Sequence, residues 1–156
     1  MLVSINNFLS KEEIESFLNK ETSIDSIVNK TSSKISRVMS SQIYPLWVEF
    51  LTMKPGSSNA QHTDIDDDED LVSAIIYLNN QYSGGELIFQ NTKIKPNIGQ
   101  LVFFNSNKDT PHSVTEVIGG DRLSISMFFD YNKDGAKYKY LSKTISNEYK
   151  RYNRPI

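Results

Sequence analysis

Cysteine is missing from this sequence altogether. That removes disulfides, thiolate metal sites and cysteine nucleophiles in one step, so any metal would be held by nitrogen and oxygen. No apolar run approaches the roughly 20 residues that a helix needs to cross a bilayer, and no membrane partner is expected. The opening Met1-Leu2-Val3-Ser4-Ile5 has neither the basic start nor the long apolar stretch of a secretory leader, so a cytoplasmic setting is the expectation. The 7 glycines and 5 prolines form no linker-like stretch, and there is no internal repeat. Histidine is scarcer still, with 2 in the chain.

What is present fits one domain over residues 1–156, long enough to bury a real core. The reading divides it into N-terminal helical support (1–45), a β core (46–130) and a basic C-terminal segment (131–156). The formal net charge of −2 is unevenly spread. From Tyr131 to Ile156 there are seven Lys/Arg against Asp134 and Glu148, a balance of +5, which leaves −7 for the rest. Much of that negative charge lies in Asp64-Ile65-Asp66-Asp67-Asp68-Glu69-Asp70.

Ser10-Lys11-Glu12-Glu13 reads as a capping box, and Ile14, Phe17 and Leu18 follow at helical spacing, which predicts a helix over 11–20. A second helix is expected around 33–41 and a third around 138–151. From Leu46 the pattern changes to short strands at 46–53, 71–78, 85–89, 92–95, 99–104, 112–118 and 121–130. Turn residues such as Lys54-Pro55-Gly56, Ser83-Gly84-Gly85 and Gly119-Gly120-Asp121 separate them. Many short strands divided this way indicate a sandwich or barrel with helix packed outside it.

The two histidines carry the chemistry. His62 lies two residues before Asp64, and in an extended segment side chains two apart point the same way. His112 stands 48 residues later, at the start of another strand, where a barrel can bring it to the same ion. Two imidazoles and one carboxylate suit Fe(II) and leave coordination positions open. Taken alone, most His-x-Asp pairs are surface hydrogen-bonding residues. Arg122 adds weight. Along Arg122–Phe129, alternation places Arg122, Ser124, Ser126 and Phe128 on one face and Leu123, Ile125, Met127 and Phe129 on the other. If the apolar face packs outward, Arg122 points into the barrel and needs an anion, a carboxylate being its natural partner. The alternative places Arg122 at the rim, paired with Asp121 or Glu116.

Six segments occur in an order that resembles the 2-oxoglutarate/Fe(II) dioxygenases, and within them the prolyl-4-hydroxylase-like branch. After Pro55-Gly56 come His62-x-Asp64, Ile76-Tyr77-Leu78-Asn79, Gly84-Gly85-Glu86-Leu87, Lys95-Pro96-x-x-Gly99 with Leu101-Val102-Phe103-Phe104, Pro111-His112-x-Val114, and Gly120-Asp121-Arg122. The resemblance spans about 46–130 and implies a double-stranded β-helix, or jelly-roll, barrel. It implies that His62, Asp64 and His112 hold Fe(II), and that Arg122, with Tyr77 and Ser124, binds 2-oxoglutarate. Tyr77 also suits a packed core position. Two positions depart from the family pattern: Met53 stands where relatives often have tyrosine, and Phe128 where they often have tryptophan.

The resemblance further implies O2 as oxidant, succinate and CO2 as products, and hydroxylation of an unactivated C–H bond. The substrate would be a protein or peptide residue such as proline, and ascorbate is a possible accessory reductant. A small molecule or a nucleic acid is the alternative substrate within the same superfamily. The basic, aromatic Tyr138-Lys139-Tyr140 and Tyr149–Arg154 suggest the latter, since single-strand binders mix charge with stacking rings. The acidic run after Asp64 is read either as attraction for a basic substrate or as a solvated loop. A non-enzymatic jelly-roll binding module is the third class.

Overall fold

The computed structural model describes residues 1–65, 70–132 and 137–149. Two helices and thirteen strands follow one another in the order β1 (Leu2–Ile5), α1 (Lys11–Leu18), α2 (Ile24–Met39), β2 (Tyr44–Met53), β3 (Ser58–His62), β4 (Leu71–Tyr77), β5 (Ser83–Gly84), β6 (Leu87–Phe89), β7 (Thr92–Ile94), β8 (Leu101–Ser106), β9 (His112–Val114), β10 (Val117–Ile118), β11 (Arg122–Asp130), β12 (Lys139–Ile145) and β13 (Glu148–Tyr149). They build a six-stranded sheet in the order β1-β8-β4-β11-β2-β12 and a five-stranded sheet β13-β3-β9-β6-β7, with β5 and β10 as a separate pair. Two facing sheets with these crossovers make the expected jelly roll.

The large sheet is buried on both faces, which explains why β4 reads as the nearly unbroken apolar run Leu71-Val72-Ser73-Ala74-Ile75-Ile76-Tyr77. Val72, Ala74 and Ile76 join Ile125, Met127 and Phe129 of β11 in one core, packed against Ile14 of α1 and Ile27, Val28 and Ile35 of α2. The other face looks toward the five-stranded sheet, where Tyr77, Val102 and Phe104 pack with Leu87 and Phe89. The outward apolar face expected for β11 is therefore the face the helices cover.

α1 begins as the capping box requires: Ser10 accepts from the Glu13 backbone N–H, and the Glu13 carboxylate accepts from that of Ser10. Its end falls at Leu18 rather than at residue 20. The second helix is longer than expected, starting at Ile24 instead of residue 33. Its buried stripe of Ile27, Val28, Thr31 and Ile35 is helical in spacing but diluted by Ser, Thr, Lys and Asn. The helix expected around 138–151 is corrected: the described part forms β12 and β13. Tyr138, Tyr140, Thr144 and Ile145 favour an extended chain, and β12 lies parallel to β2, with Lys139 opposite Trp47 and Ile145 opposite Met53. The tail thus extends the large sheet along β2 instead of covering the barrel as a basic helix. Residues 150–156 and most of the acidic run, 66–69, lie outside the described residues. The strand expected at 112–118 is broken by Thr115-Glu116 into β9 and β10, and β1 and β3 were not anticipated as strands.

One side chain ties the loop after β4 to the start of β11. Asn79 donates from Nδ2 to the Asp121 carbonyl (2.8 Å) and accepts at Oδ1 from the Leu123 N–H (2.9 Å). Replacing it leaves a part-buried carbonyl and amide without that partner. Asn79→Ala is expected to lower the unfolding free energy by about 2 kcal/mol, measured by chemical denaturation; a change under about 0.5 kcal/mol would mean that water substitutes for the side chain.

Candidate metal and co-substrate site

His62 ends β3 and His112 opens β9, and the two residues are direct cross-strand partners. Asp64 follows two residues after His62. The strand pairing is what brings together residues that the sequence separates by 48 to 50 positions. One ligand atom from each of the three lies within 4.8 Å of the others. The His62 Nε2 stands 3.3 Å from Asp64 Oδ1, and the His112 Nε2 stands 3.4 Å from Asp64 Oδ2. The imidazole rings meet edge to face at 4.4 Å between centroids, and Phe104 packs its ring 4.9 Å from that of His112.

The ring nitrogens are sorted by the backbone. His62 Nδ1 lies 2.7 Å from the Ala60 carbonyl and His112 Nδ1 lies 3.1 Å from the Thr110 carbonyl. A carbonyl can only accept, so Nδ1 carries the proton in each neutral ring, and both Nε2 lone pairs face the carboxylate. This is the arrangement that orients imidazoles for a metal. Asp64 is held in turn by the hydroxyls of Ser73 (2.5 Å) and Ser106 (3.5 Å), both donating to Oδ2. Burial pushes the Asp64 carboxyl up, but whenever His112 and His62 are protonated at Nε2 as well, as imidazolium ions, their charges and the hydrogen bonds they then donate outweigh it and hold the group well below the usual carboxylate range.

Arg122 lines the same cavity as these three residues, together with Met53, Asn59 and Ser126. It is 1% exposed and is the bulkiest fully buried side chain among the described residues. Nε donates to the Gly85 carbonyl (3.0 Å), and Nη1 donates to Ser124 Oγ (3.2 Å) and approaches Met53 Sδ (3.5 Å). Nη2 has no partner among the described residues. The rim alternative for Arg122 fails, because Asp121 pairs with Lys54 at 2.9 Å and Glu116 is exposed. Ser124, directly across from Tyr77 in the β11–β4 ladder, supports the guanidinium. Tyr77 is fully buried with its ring 5.1 Å from the Arg122 Cζ, and its hydroxyl has no hydrogen-bond partner among the described residues. Burial pushes the Tyr77 phenol up, against the pull of the Arg122 charge.

Sequence reasoning had passed over Ser73, Ser106 and Asn59. Ser73 carries a signal, being the one serine in an otherwise largely apolar strand. Asn59 is buried beside the cavity with an Oδ1 that has no partner among the described residues.

The residues fit the group the sequence suggested. The donor set is two imidazoles and a carboxylate without sulfur, and a buried cation with an unfilled N–H sits in the same cavity. These features make a site suited to a metal ion and an anion inside a jelly roll, and comparison with known proteins identifies the family. The profile of the 2OG-Fe(II) oxygenase superfamily matches residues 48–130, just over half of the chain. The protein belongs to that superfamily. Rattus norvegicus prolyl 3-hydroxylase 2 is 34% identical over 64 residues, covering 36% of this chain and 9% of that protein, so the chain spans under a tenth of the length of this curated relative. The viral collagen prolyl hydroxylase from Paramecium Bursaria Chlorella virus-1, in its 2OG complex, superposes with a TM-score of 0.67 at 23% identity, covering 85% of this chain and 96% of that one. A Trichoplax adhaerens prolyl hydroxylase, in complex with a hypoxia inducible factor oxygen degradation domain peptide fragment, gives 0.59 at 20% identity, covering 83% of both chains. At these identities the two structures share the fold.

Gly85 is where the Arg122 pocket is most tightly drawn. Its φ is +61°, and an added Cβ would stand 2.8 Å from Arg122 Cδ and 3.2 Å from Tyr82 Cε2. Gly85→Ala is expected to cost about 2–4 kcal/mol in unfolding free energy, from overpacking plus a left-handed residue with a side chain. Denaturant unfolding reads this directly, and a loss below about 1 kcal/mol would show that Arg122 can move aside.

Proposed function

We propose that this protein is an Fe(II)- and 2-oxoglutarate-dependent hydroxylase acting on a prolyl residue of a peptide or protein. The observation that carries the reading is the buried Arg122, with no anionic partner among the described residues, in the same cavity as His62, Asp64 and His112. In this reading the three residues hold Fe(II) through the two Nε2 atoms and the Asp64 carboxylate. Arg122 takes the distal carboxylate of 2-oxoglutarate, with Tyr77 donating its hydroxyl to the same group and Ser124 fixing the guanidinium. Fe(II), 2-oxoglutarate and O2 together supply the oxidising power for hydroxylating a C–H bond, releasing succinate and CO2. The protein's own part is placement. Ser73 and Ser106 set the carboxylate, the Ala60 and Thr110 carbonyls set the ring orientations, and the aromatic wall of Phe104 and Phe128 limits water.

The peptide substrate is supported by the prolyl hydroxylases that share sequence or fold with this chain, one of them holding a peptide. The nucleic-acid alternative gains nothing from the described part of the tail. Lys139 lies over the Trp47 ring at 5.9 Å, and Tyr138 is hydrogen-bonded to Asp25. A proline-rich peptide incubated with Fe(II), 2-oxoglutarate, ascorbate and O2 should gain one oxygen per succinate released. Succinate release without oxygen gain across a peptide panel would overturn the peptide reading.

Two substitutions separate metal from co-substrate. Ser73→Ala removes a hydrogen bond behind Asp64 and is expected to weaken Fe(II) binding by about 10–100-fold, read by metal titration. Arg122→Met should leave Fe(II) affinity within about twofold and raise the dissociation constant for 2-oxoglutarate by at least about 100-fold, as expected for one lost partner of a buried charge pair. Equal effects of both changes on both ligands would contradict the assignment.

A further inference from the structure

Around Gly85, three buried polar atoms have no partner among the described residues: Arg122 Nη2 and the phenolic oxygens of Tyr77 and Tyr82. Tyr82 was not singled out by sequence. It lies in the loop between β4 and β5, and that loop is fixed in place. Asn79 ties it to Asp121 and Leu123. The Gly120 backbone approaches so closely that a Cβ there would stand 2.2 Å from the Gln81 carbonyl oxygen and 3.7 Å from Tyr82 Cβ. Just beyond, Gly84 of β5 pairs with Val117 of β10.

The Tyr82 ring packs against the cluster of Leu51, Met53, Val114, Val117 and Ile145. Three of these, Leu51, Met53 and Val114, also line the cavity that holds Arg122 and the histidines. Tyr82 Cε2, the ring carbon next to the one bearing the hydroxyl, and Arg122 Cδ close over the same Gly85 α-carbon. Tyr82 therefore approaches Arg122 from the loop side while Tyr77 lies beneath it on β4. A buried hydroxyl with no partner costs about 1–3 kcal/mol. Two of them, on rings that flank the arginine whose Nη2 is unfilled, share one remedy, because a carboxylate offers about four lone-pair sites.

We infer that Tyr82 is a further binding residue for the distal carboxylate of the 2-oxo acid, donating its hydroxyl to the group that Arg122 and Tyr77 also hold. The inference rests on the co-substrate reading of Arg122 given above. To donate, the phenol must keep its proton, and burial pushes it up to about 12 against the pull of the Arg122 charge. A cradle of one guanidinium and two phenols selects a dicarboxylic 2-oxo acid over a monocarboxylic one. The shorter ligand leaves several buried donors unfilled, and sites of that kind reject such ligands strongly.

The test uses protein loaded anaerobically with Fe(II). It is titrated with 2-oxoglutarate and, separately, with 2-oxobutyrate, which lacks the distal carboxylate, while the visible absorption of the bound 2-oxo acid is followed. Tyr82→Phe keeps the ring and its packing and removes one oxygen. The expected result is a rise of about tenfold in the 2-oxoglutarate dissociation constant. The 2-oxobutyrate constant should move less than about twofold, and the unfolding midpoint should not fall. Equal weakening of both ligands would overturn the proposal, since the oxygen would then act through the fold or the metal. An unchanged 2-oxoglutarate constant would remove Tyr82 from the cradle while leaving Arg122 in place. If wild-type protein fails to distinguish the two acids, the carboxylate cradle falls altogether, and with it the co-substrate reading of Arg122.

Discussion

A guanidinium buried with no anionic partner among the described residues is the constraint around which this site is organised. Taking a charge out of water costs several kcal/mol unless it is paired and hydrogen-bonded. Arg122 is 1% exposed, and its described contacts are neutral: a carbonyl, a hydroxyl, a thioether and an aromatic face. Such contacts hold the group in one orientation without neutralising it. On the co-substrate reading proposed above, an anion would lower the energy of this position, so folding would leave a binding energy in reserve for a carboxylate. The glycine at 85 belongs to the same device, because any side chain there would displace the arginine.

The large sheet makes the arrangement possible by separating two jobs onto its two faces. Odd positions of β4 (Leu71, Ser73, Ile75, Tyr77) and even positions of β11 (Arg122, Ser124, Ser126, Phe128) turn toward the second sheet. Their neighbours turn toward the helices. The helix-side face is uniformly apolar and provides the bulk of the core. The site-side face can then carry serines, a tyrosine and an arginine because stability does not rest on it alone. A one-residue slip of β11 would exchange the faces, burying Arg122 under α2 and turning Ile125 into the cavity. The pairing of β11 with both β2 and β4 over most of its length prevents that slip.

Much of this could be read from the chain because the informative features were local or periodic. The Ser10 capping box, the alternation in Arg122–Phe129 and the turn residues between strands each state their structure within a few positions. The candidate metal ligands were legible because histidine is so scarce: with His62 and His112 the whole supply, their convergence needed only a barrel. The misses have physical causes. α2 was cut short because its apolar stripe is thin and its remaining positions are Ser, Thr, Lys and Asn, which carry weak helical signal. In the C-terminal segment Tyr138, Tyr140, Thr144 and Ile145 lean toward an extended chain, but too weakly to decide from sequence. The open edge of β2 decided instead, which is a tertiary effect. Ser73, Ser106 and Tyr82 escaped notice because their importance lies in what they meet across the fold.

The placement of β1 and β12 has a bearing on how the protein avoids itself. They are the two border strands of the large sheet, one from the first described residues and one from the last described segment. Each lies along an interior strand, β8 or β2, whose backbone would otherwise offer a bare ladder to any passing chain. β1 is four residues long, and β12 carries Lys139 and Lys143, so the borders themselves are short or charged. The ends of the described chain thus act as selvedges. Trimming either one would expose a hydrogen-bonding margin, and self-association would be felt there before any effect reached the His62, Asp64 and His112 cluster.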